Sequence, residues 1–225
     1  MDEEFRKLFE RGMNARSPEE GVECFKKCLE IEPNNVYALN NLGIALYELG
    51  RVDEAESYIN RAIELNPDYA DAWYNRGIIL SDAGKHEEAI QCFERAVELN
   101  PDDAAAWNNM GLSYFERGDI EKAIECYMRS ISVDEGHVTA WYNLGVAYYS
   151  SGKYDYALNS FKKALSLVES VDILVNLGIT YGKLKMYKEA MECFDKVLEI
   201  DPDNSAANYN KLVLENIMRR EGKLD

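Results

Sequence analysis

Apolar and polar positions along the chain follow two superimposed periods, one of a helical turn and one of 34 residues. The segments WYNRGIILSDAGKHEEAIQCFERA (73–96), WNNMGLSYFERGDIEKAIECYMRS (107–130) and WYNLGVAYYSSGKYDYALNSFKKA (141–164) start 34 residues apart. Positions are numbered 1 to 34 within a unit, with the glycine of the MG or LG pair at position 8. The units are then 2–35, 36–69, 70–103, 104–137, 138–170 and 171–204, followed by 205–225. Small or apolar residues at positions 4, 7, 8 and 11 form one stripe at helical spacing, as in Trp141, Leu144, Gly145 and Tyr148. A second stripe falls at positions 20, 24 and 27, as in Ala157, Phe161 and Ala164. Gly50, Gly84, Gly118 and Gly152 stand between the stripes, where a turn needs φ > 0. Pro33, Pro67, Pro101 and Pro202 follow the second stripe, where proline ends a helix. Each unit is therefore predicted to be two antiparallel helices, and residues 1–225 a single all-α solenoid of stacked helix pairs. Residues 205–225 are predicted to be a helix capping the open end, with Arg219, Arg220 and Lys223 suited to its C-terminal dipole.

Helices approach closely only where side chains are small. The glycine at position 8 and the alanine at position 20 supply that contact, and larger residues at positions 4, 11 and 24 fill the space around it. The pattern resembles the tetratricopeptide repeat (TPR), which carries W, LG, Y, A, F, A and P at these positions, over nearly the whole chain. The resemblance implies a right-handed superhelix in which the first helix of each pair lines a concave groove. Three departures stand out. The first unit has Phe9 at position 8 and Gly21 at position 20. The fourth has Glu135 in place of proline. The fifth is one residue short, and its boundary SLVESVD (166–172) has neither proline nor glycine. Helix boundaries are expected to shift there, with a local change of superhelical pitch.

On a helical wheel, positions 2, 6, 9 and 13 lie opposite the first stripe, and hence in the groove if the TPR architecture holds. Position 6 is Asn41, Asn75, Asn109, Asn143 and Asn176 in five consecutive units. Asparagine costs roughly 0.5 kcal/mol or more against alanine inside a helix, so its recurrence at one phase calls for a reason. A carboxamide donates and accepts, and can pair with the backbone of an extended peptide whatever its side chains. This resembles the asparagine ladder of superhelical TPR peptide binders. The other reading is that these amides bond to the neighbouring repeat and set its orientation; both remain open here. Position 5 adds Asn40, Tyr74, Asn108 and Tyr142, and position 12 adds Tyr47, Phe115 and Tyr149, side chains suited to recognition. Position 9 is apolar throughout and is expected to be partly buried between adjacent first helices. Glu48, Asp82, Glu116, Asp71 and Asp172 make the surface acidic.

Composition narrows the function. A net charge of −16 argues against nucleic acid and anionic membranes and favours neutral or basic protein partners. The N-terminal MDEEFRKLFERG is neither a signal peptide nor a membrane span. Four of the five cysteines (Cys24, Cys92, Cys126 and Cys193) share one slot of the repeat. Equivalent slots lie too far apart for the roughly 4.4–6.8 Å Cα separation of a disulfide. The chain is therefore expected to be cytoplasmic with reduced thiols. His86 and His137 fall at unrelated phases, and no phosphate loop or nucleophile motif is present, so no metal, cofactor or catalysis is expected. The carboxylate clamp of TPR cochaperones, which holds EEVD-type chaperone tails, needs cations where Asp71 and Asn75 stand, so that ligand is not implied. The expected function is a non-catalytic scaffold holding an extended peptide in its groove; the alternative is a self-assembling structural module.

Overall fold

The computed structural model describes residues 3–222; Lys223 and its expected interaction with the helix dipole lie outside them. The described residues form thirteen helices and no strand. The chain divides into two compact units at Arg117 and Gly118.

The first unit holds α1 (Glu3–Met13), α2 (Pro18–Ile31), α3 (Val36–Glu48), α4 (Val52–Leu65), α5 (Ala70–Asp82), α6 (His86–Leu99) and α7 (Ala104–Glu116). Each helix packs on the next, and α3, α5 and α7, all first helices of repeats, also touch in succession. The second unit holds α8 (Ile120–Val133), α9 (Val138–Ser150), α10 (Tyr154–Leu167), α11 (Val171–Lys183), α12 (Tyr187–Ile200) and α13 (Ser205–Arg220). Here too neighbours pack in sequence, and α9, α11 and α13 touch in succession.

Within a repeat the glycine at position 8 is the contact point. A Cβ at Gly77 would sit 2.6 Å from a ring carbon of Phe93, and one at Gly145 would sit 2.6 Å from Phe161. A Cβ at Gly178 would approach Phe194 to 2.8 Å. The three rings are fully buried, so a real side chain at these glycines would push the two helices apart. The first repeat moves this contact by one turn: Phe25 packs under Gly12, at position 11, while Phe9 takes position 8.

The turns use φ values between 73° and 85° at Gly50, Gly84, Gly118 and Gly152. In the sixth repeat Lys185 takes the same place at φ 60°. Four first helices, α3, α7, α9 and α13, begin at a side-chain cap. Asn35, Asp103, His137 and Asn204 each accept from the N–H three residues on, at 2.9–3.1 Å.

The expected boundary shifts do not occur. The connection lacking proline, 134–137, has the same length as its equivalents, and the missing residue of the fifth unit comes out of the loop 168–170. Second helices end alike because a capping N–H bonds the carbonyl four residues back in each, Asp134 to Ser130 and Val168 to Ala164 included. That bond needs no proline. Between repeats, the indole N–H at position 4 ties down the preceding loop. Trp73 donates to the Pro67 carbonyl, Trp107 to that of Pro101 and Trp141 to that of Glu135, at 2.9–3.0 Å.

The final helix is built on the same plan. Asn208 stands at position 4 and donates to the Pro202 carbonyl at 3.2 Å, as the tryptophans do. Ala207 and Leu214 are buried against α11 and α12, so α13 covers the end of the core. Its other face carries Tyr209 and Leu212, 68% and 57% exposed, rather than a wholly polar surface.

Candidate functional site

The face opposite the packing stripe is built from the first helices. In the first unit it is formed by α3, α5 and α7. Asn41, Asn75 and Asn109 lie half-buried at one phase of these helices. Their amino groups are used internally. Asn75 Nδ2 donates to Asn40 Oδ1 at 3.0 Å, and Asn109 Nδ2 donates to the Tyr74 hydroxyl at 2.9 Å. Position 6 of one repeat is thus joined to position 5 of the repeat before. Position 5 of the first repeat is Arg6, and Asn41 instead donates to Tyr37 O of its own helix at 2.8 Å. In the second unit, Asn143 on α9 is half-buried, and Asn176 on α11 donates to the Tyr142 hydroxyl at 3.1 Å and to Asp172 O at 3.0 Å.

Position 5 therefore lies deeper than the wheel suggested. Asn40 and Asn108 are buried, and Asn108 donates to Asn109 Oδ1 at 3.3 Å. Tyr74 and Tyr142 are half-buried, each with its ring 5.9 Å from the phenylalanine of its own repeat. Burial is the main reason that both phenols titrate above the ordinary tyrosine range. Asp103 adds to this at Tyr74 and Asp172 at Tyr142, while the bond from the asparagine opposes it.

The amide oxygens tell a different story. Those of Asn41, Asn75 and Asn176 accept no hydrogen bond among the described residues, yet none is a buried polar atom without a partner. They are open acceptors. Nearby, Tyr47, Phe115 and Tyr149 at position 12 are half-buried. The Tyr47 hydroxyl donates to the Asp82 carboxylate of the next first helix. Burial first, and that bond second, push its pKa up to about 12. Tyr149 lies 5.3 Å from the ring of Tyr154. Glu48, Asp82 and Glu116 at position 13 are exposed. Position 9 is half-buried at Ile44, Ile78, Val146 and Ile179, while Leu112 is more open. At the first rung a cavity of about 360 Å³ opens beside Gly12, Arg16, Asn41, Ile44 and Glu48.

One residue of this face escapes a reading by six units. Asn210, half-buried on α13, continues position 6 at 34 residues beyond Asn176, with its amino group bonded to Ala206 O at 2.8 Å. The signal was present in the DPDN cap (201–204) and the Asn-Tyr-Asn that follows it.

All five cysteines are buried and none is in a disulfide, and burial pushes the Cys28 and Cys193 thiols up to about 11. Among the described residues no cluster of His, Cys, Asp and Glu could hold a metal, and no helix is long and apolar enough to cross a membrane.

Tetratricopeptide repeat models match residues 13–70 and 40–104, then 102–170, then 171–204. The chain belongs to the tetratricopeptide repeat family, an all-α fold of stacked helix pairs that serves protein–protein interaction. Among solved structures, MamA is 32% identical over 74% of this chain and 95% of its own, with a TM-score of 0.63. PilF of Pseudomonas aeruginosa is 17% identical over 94% of this chain and 98% of its own, with a TM-score of 0.82. YrrB, described as a TPR protein with an unusual peptide-binding site, is 23% identical over 84% of this chain and 98% of its own, with a TM-score of 0.72. The last two likenesses concern the fold alone. No curated protein sequence matches the chain significantly.

Proposed function

We propose that this protein is a non-catalytic scaffold that holds an extended peptide segment of a partner along the exposed faces of its first helices. What supports the reading is the division of labour within each amide. The amino groups of Asn75, Asn109 and Asn176 join one repeat to the next. The oxygens of Asn41, Asn75 and Asn176 are left as open acceptors, already oriented. Fixed acceptors of this kind suit the backbone N–H groups of a peptide, which every residue but proline carries. The amide thus serves both roles at once, orienting its neighbour and facing a ligand.

Specificity is then left to the surrounding side chains. Glu48, Asp82, Glu116 and Asp71 favour a neutral to basic segment, and Tyr47, Phe115 and Tyr149 offer aromatic surface at low entropic cost. The buried reduced thiols fit a cytoplasmic location.

The test uses peptides selected by the wild-type protein from a random displayed library. Each open acceptor is expected to contribute about 1 kcal/mol, so replacing a read N–H by N-methyl weakens binding by about five- to tenfold. An Asn41→Ala, Asn75→Ala, Asn176→Ala variant that keeps its circular dichroism is expected to lose the peptides. If that folded variant binds them as the wild type does, the amides are purely architectural and the proposal fails.

A further inference from the structure

Position 12 carries Tyr47, Ser81, Phe115 and Tyr149 in successive first helices, but Gly182 on α11. A Cβ there would lie 3.4 Å from Leu214 Cδ2, an ordinary contact, so the missing side chain is not demanded by close packing. It leaves a cavity of about 200 Å³ between α11 and α13. The walls are apolar: Gly178, Ile179, Phe194, Val213, Leu214 and Ile217. Two polar side chains complete the lining. Asn210 belongs to the asparagine series, and its oxygen accepts nothing among the described residues. Lys183 stands at position 13, where α3, α5 and α7 carry Glu48, Asp82 and Glu116; it is exposed and forms no ion pair among the described residues.

We propose that this cavity is an anchor site for one aliphatic side chain of a bound peptide, with an acidic side chain beside it on Lys183. The volume lies below the roughly 300–1,000 Å³ of small-molecule sites, so it suits a single Leu, Ile, Val or Met rather than a metabolite. The fully buried Phe194 closes the cavity, and the half-buried Ile179, Val213 and Ile217 give that side chain an apolar surface. Asn210 offers an acceptor to the backbone N–H of the anchored residue. The Lys183 ammonium supplies the charge complementarity that selects Asp or Glu over Lys or Arg beside the cavity. The inference rests on the reading of the first-helix faces as a peptide site, and it names an aliphatic–acidic pair as what α11 and α13 take.

The experiment pans random twelve-residue peptides, displayed N-terminal to a phage coat protein, on four forms of the full chain. These are wild type, Gly182→Phe, Lys183→Glu and the triple asparagine variant described above. Gly182→Phe restores the kind of ring found at position 12 of other repeats, and Lys183→Glu alters only the surface. Wild type is expected to enrich peptides with Leu, Ile, Val or Met within two residues of Asp or Glu. Gly182→Phe is expected to bind a synthetic selected peptide at least tenfold more weakly by fluorescence anisotropy. Lys183→Glu is expected to replace Asp and Glu by Lys and Arg in the selected motif. Peptides without the pair, or equal binding to wild type and Gly182→Phe, overturn the anchor while leaving the asparagine reading intact. Peptides lost on Gly182→Phe but kept by the triple variant overturn the asparagine reading and leave the anchor standing. No selected peptide at all overturns both.

Discussion

Glycine at position 8 sets how closely the two helices of a repeat approach, and a single methyl group tests it. In an open helix, Gly→Ala stabilises by up to about 1 kcal/mol through backbone entropy. At Gly145 the added carbon would stand 2.6 Å from the buried Phe161 ring, and overpacking of that kind costs about 1–3 kcal/mol. The steric effect is larger, so Gly145→Ala is expected to lower stability by about 1–2 kcal/mol in urea denaturation. Gly182→Ala, with its nearest neighbour at 3.4 Å, is expected to raise it instead. Opposite signs from the same substitution in adjacent first helices would confirm the geometry; equal signs would refute it. This contact was legible in the sequence because glycine and the phenylalanine recur at fixed positions. The exchange in the first repeat was visible as Phe9, but not the answering move of Phe25 onto Gly12, which depends on three-dimensional fit. For the asparagines, the phase could be read and the bonding could not. Asn109 and Tyr74 are 35 residues apart, and only the stacking of α5 on α7 brings them within 2.9 Å.

At the level of helices and turns, the sixth repeat departs from the others at Lys185. Its backbone sits at φ 60° where four other repeats use glycine. A side chain in the left-handed region costs about 1–2 kcal/mol, so Lys185→Gly is expected to stabilise the α11–α12 turn by about 1 kcal/mol after the added freedom of the unfolded glycine is counted. A rise in thermal midpoint checks it; an unchanged or lower midpoint would mean that another contact holds the turn. Local sequence was a poor guide to helix ends. Proline marks the end of α4, α6 and α12, but α8 and α10 stop at the same position without it, because the terminal N–H finds the carbonyl four residues back. The loop absorbs what the sequence omits, and helix lengths persist because packing fixes them. The final helix was legible as a helix but not as another ladder-bearing first helix, since Leu212 replaces the glycine that signals one.

Across the whole molecule, half-buried phenols link stability to alkaline pH. The Tyr47 pKa is pushed up to about 12, above the roughly 10 of free tyrosine, and burial moves Tyr74, Tyr142 and Tyr148 in the same direction. A raised folded pKa means that the native state holds its protons more tightly than the unfolded chain. The contribution is therefore complete below about pH 10 and disappears as pH rises through 12. Urea midpoints are expected to fall over that interval, with phenolate absorbance appearing late. Tyr47→Phe should make the fall shallower. A midpoint independent of pH up to 11 would show that these phenols are not held as described.

The joint between repeats has one constant half and one variable half. At Asn75, Asn109 and Asn176 the asparagine offers the amino group, and the repeat before it answers with either an amide, as at Asn40, or a phenol, as at Tyr74 and Tyr142. Because the same coupling accepts both, neighbouring repeats can be reordered, duplicated or exchanged without a matching change on the other side. Variation at position 5 is thereby decoupled from assembly, and the array is free to diverge unit by unit while its connections stay the same.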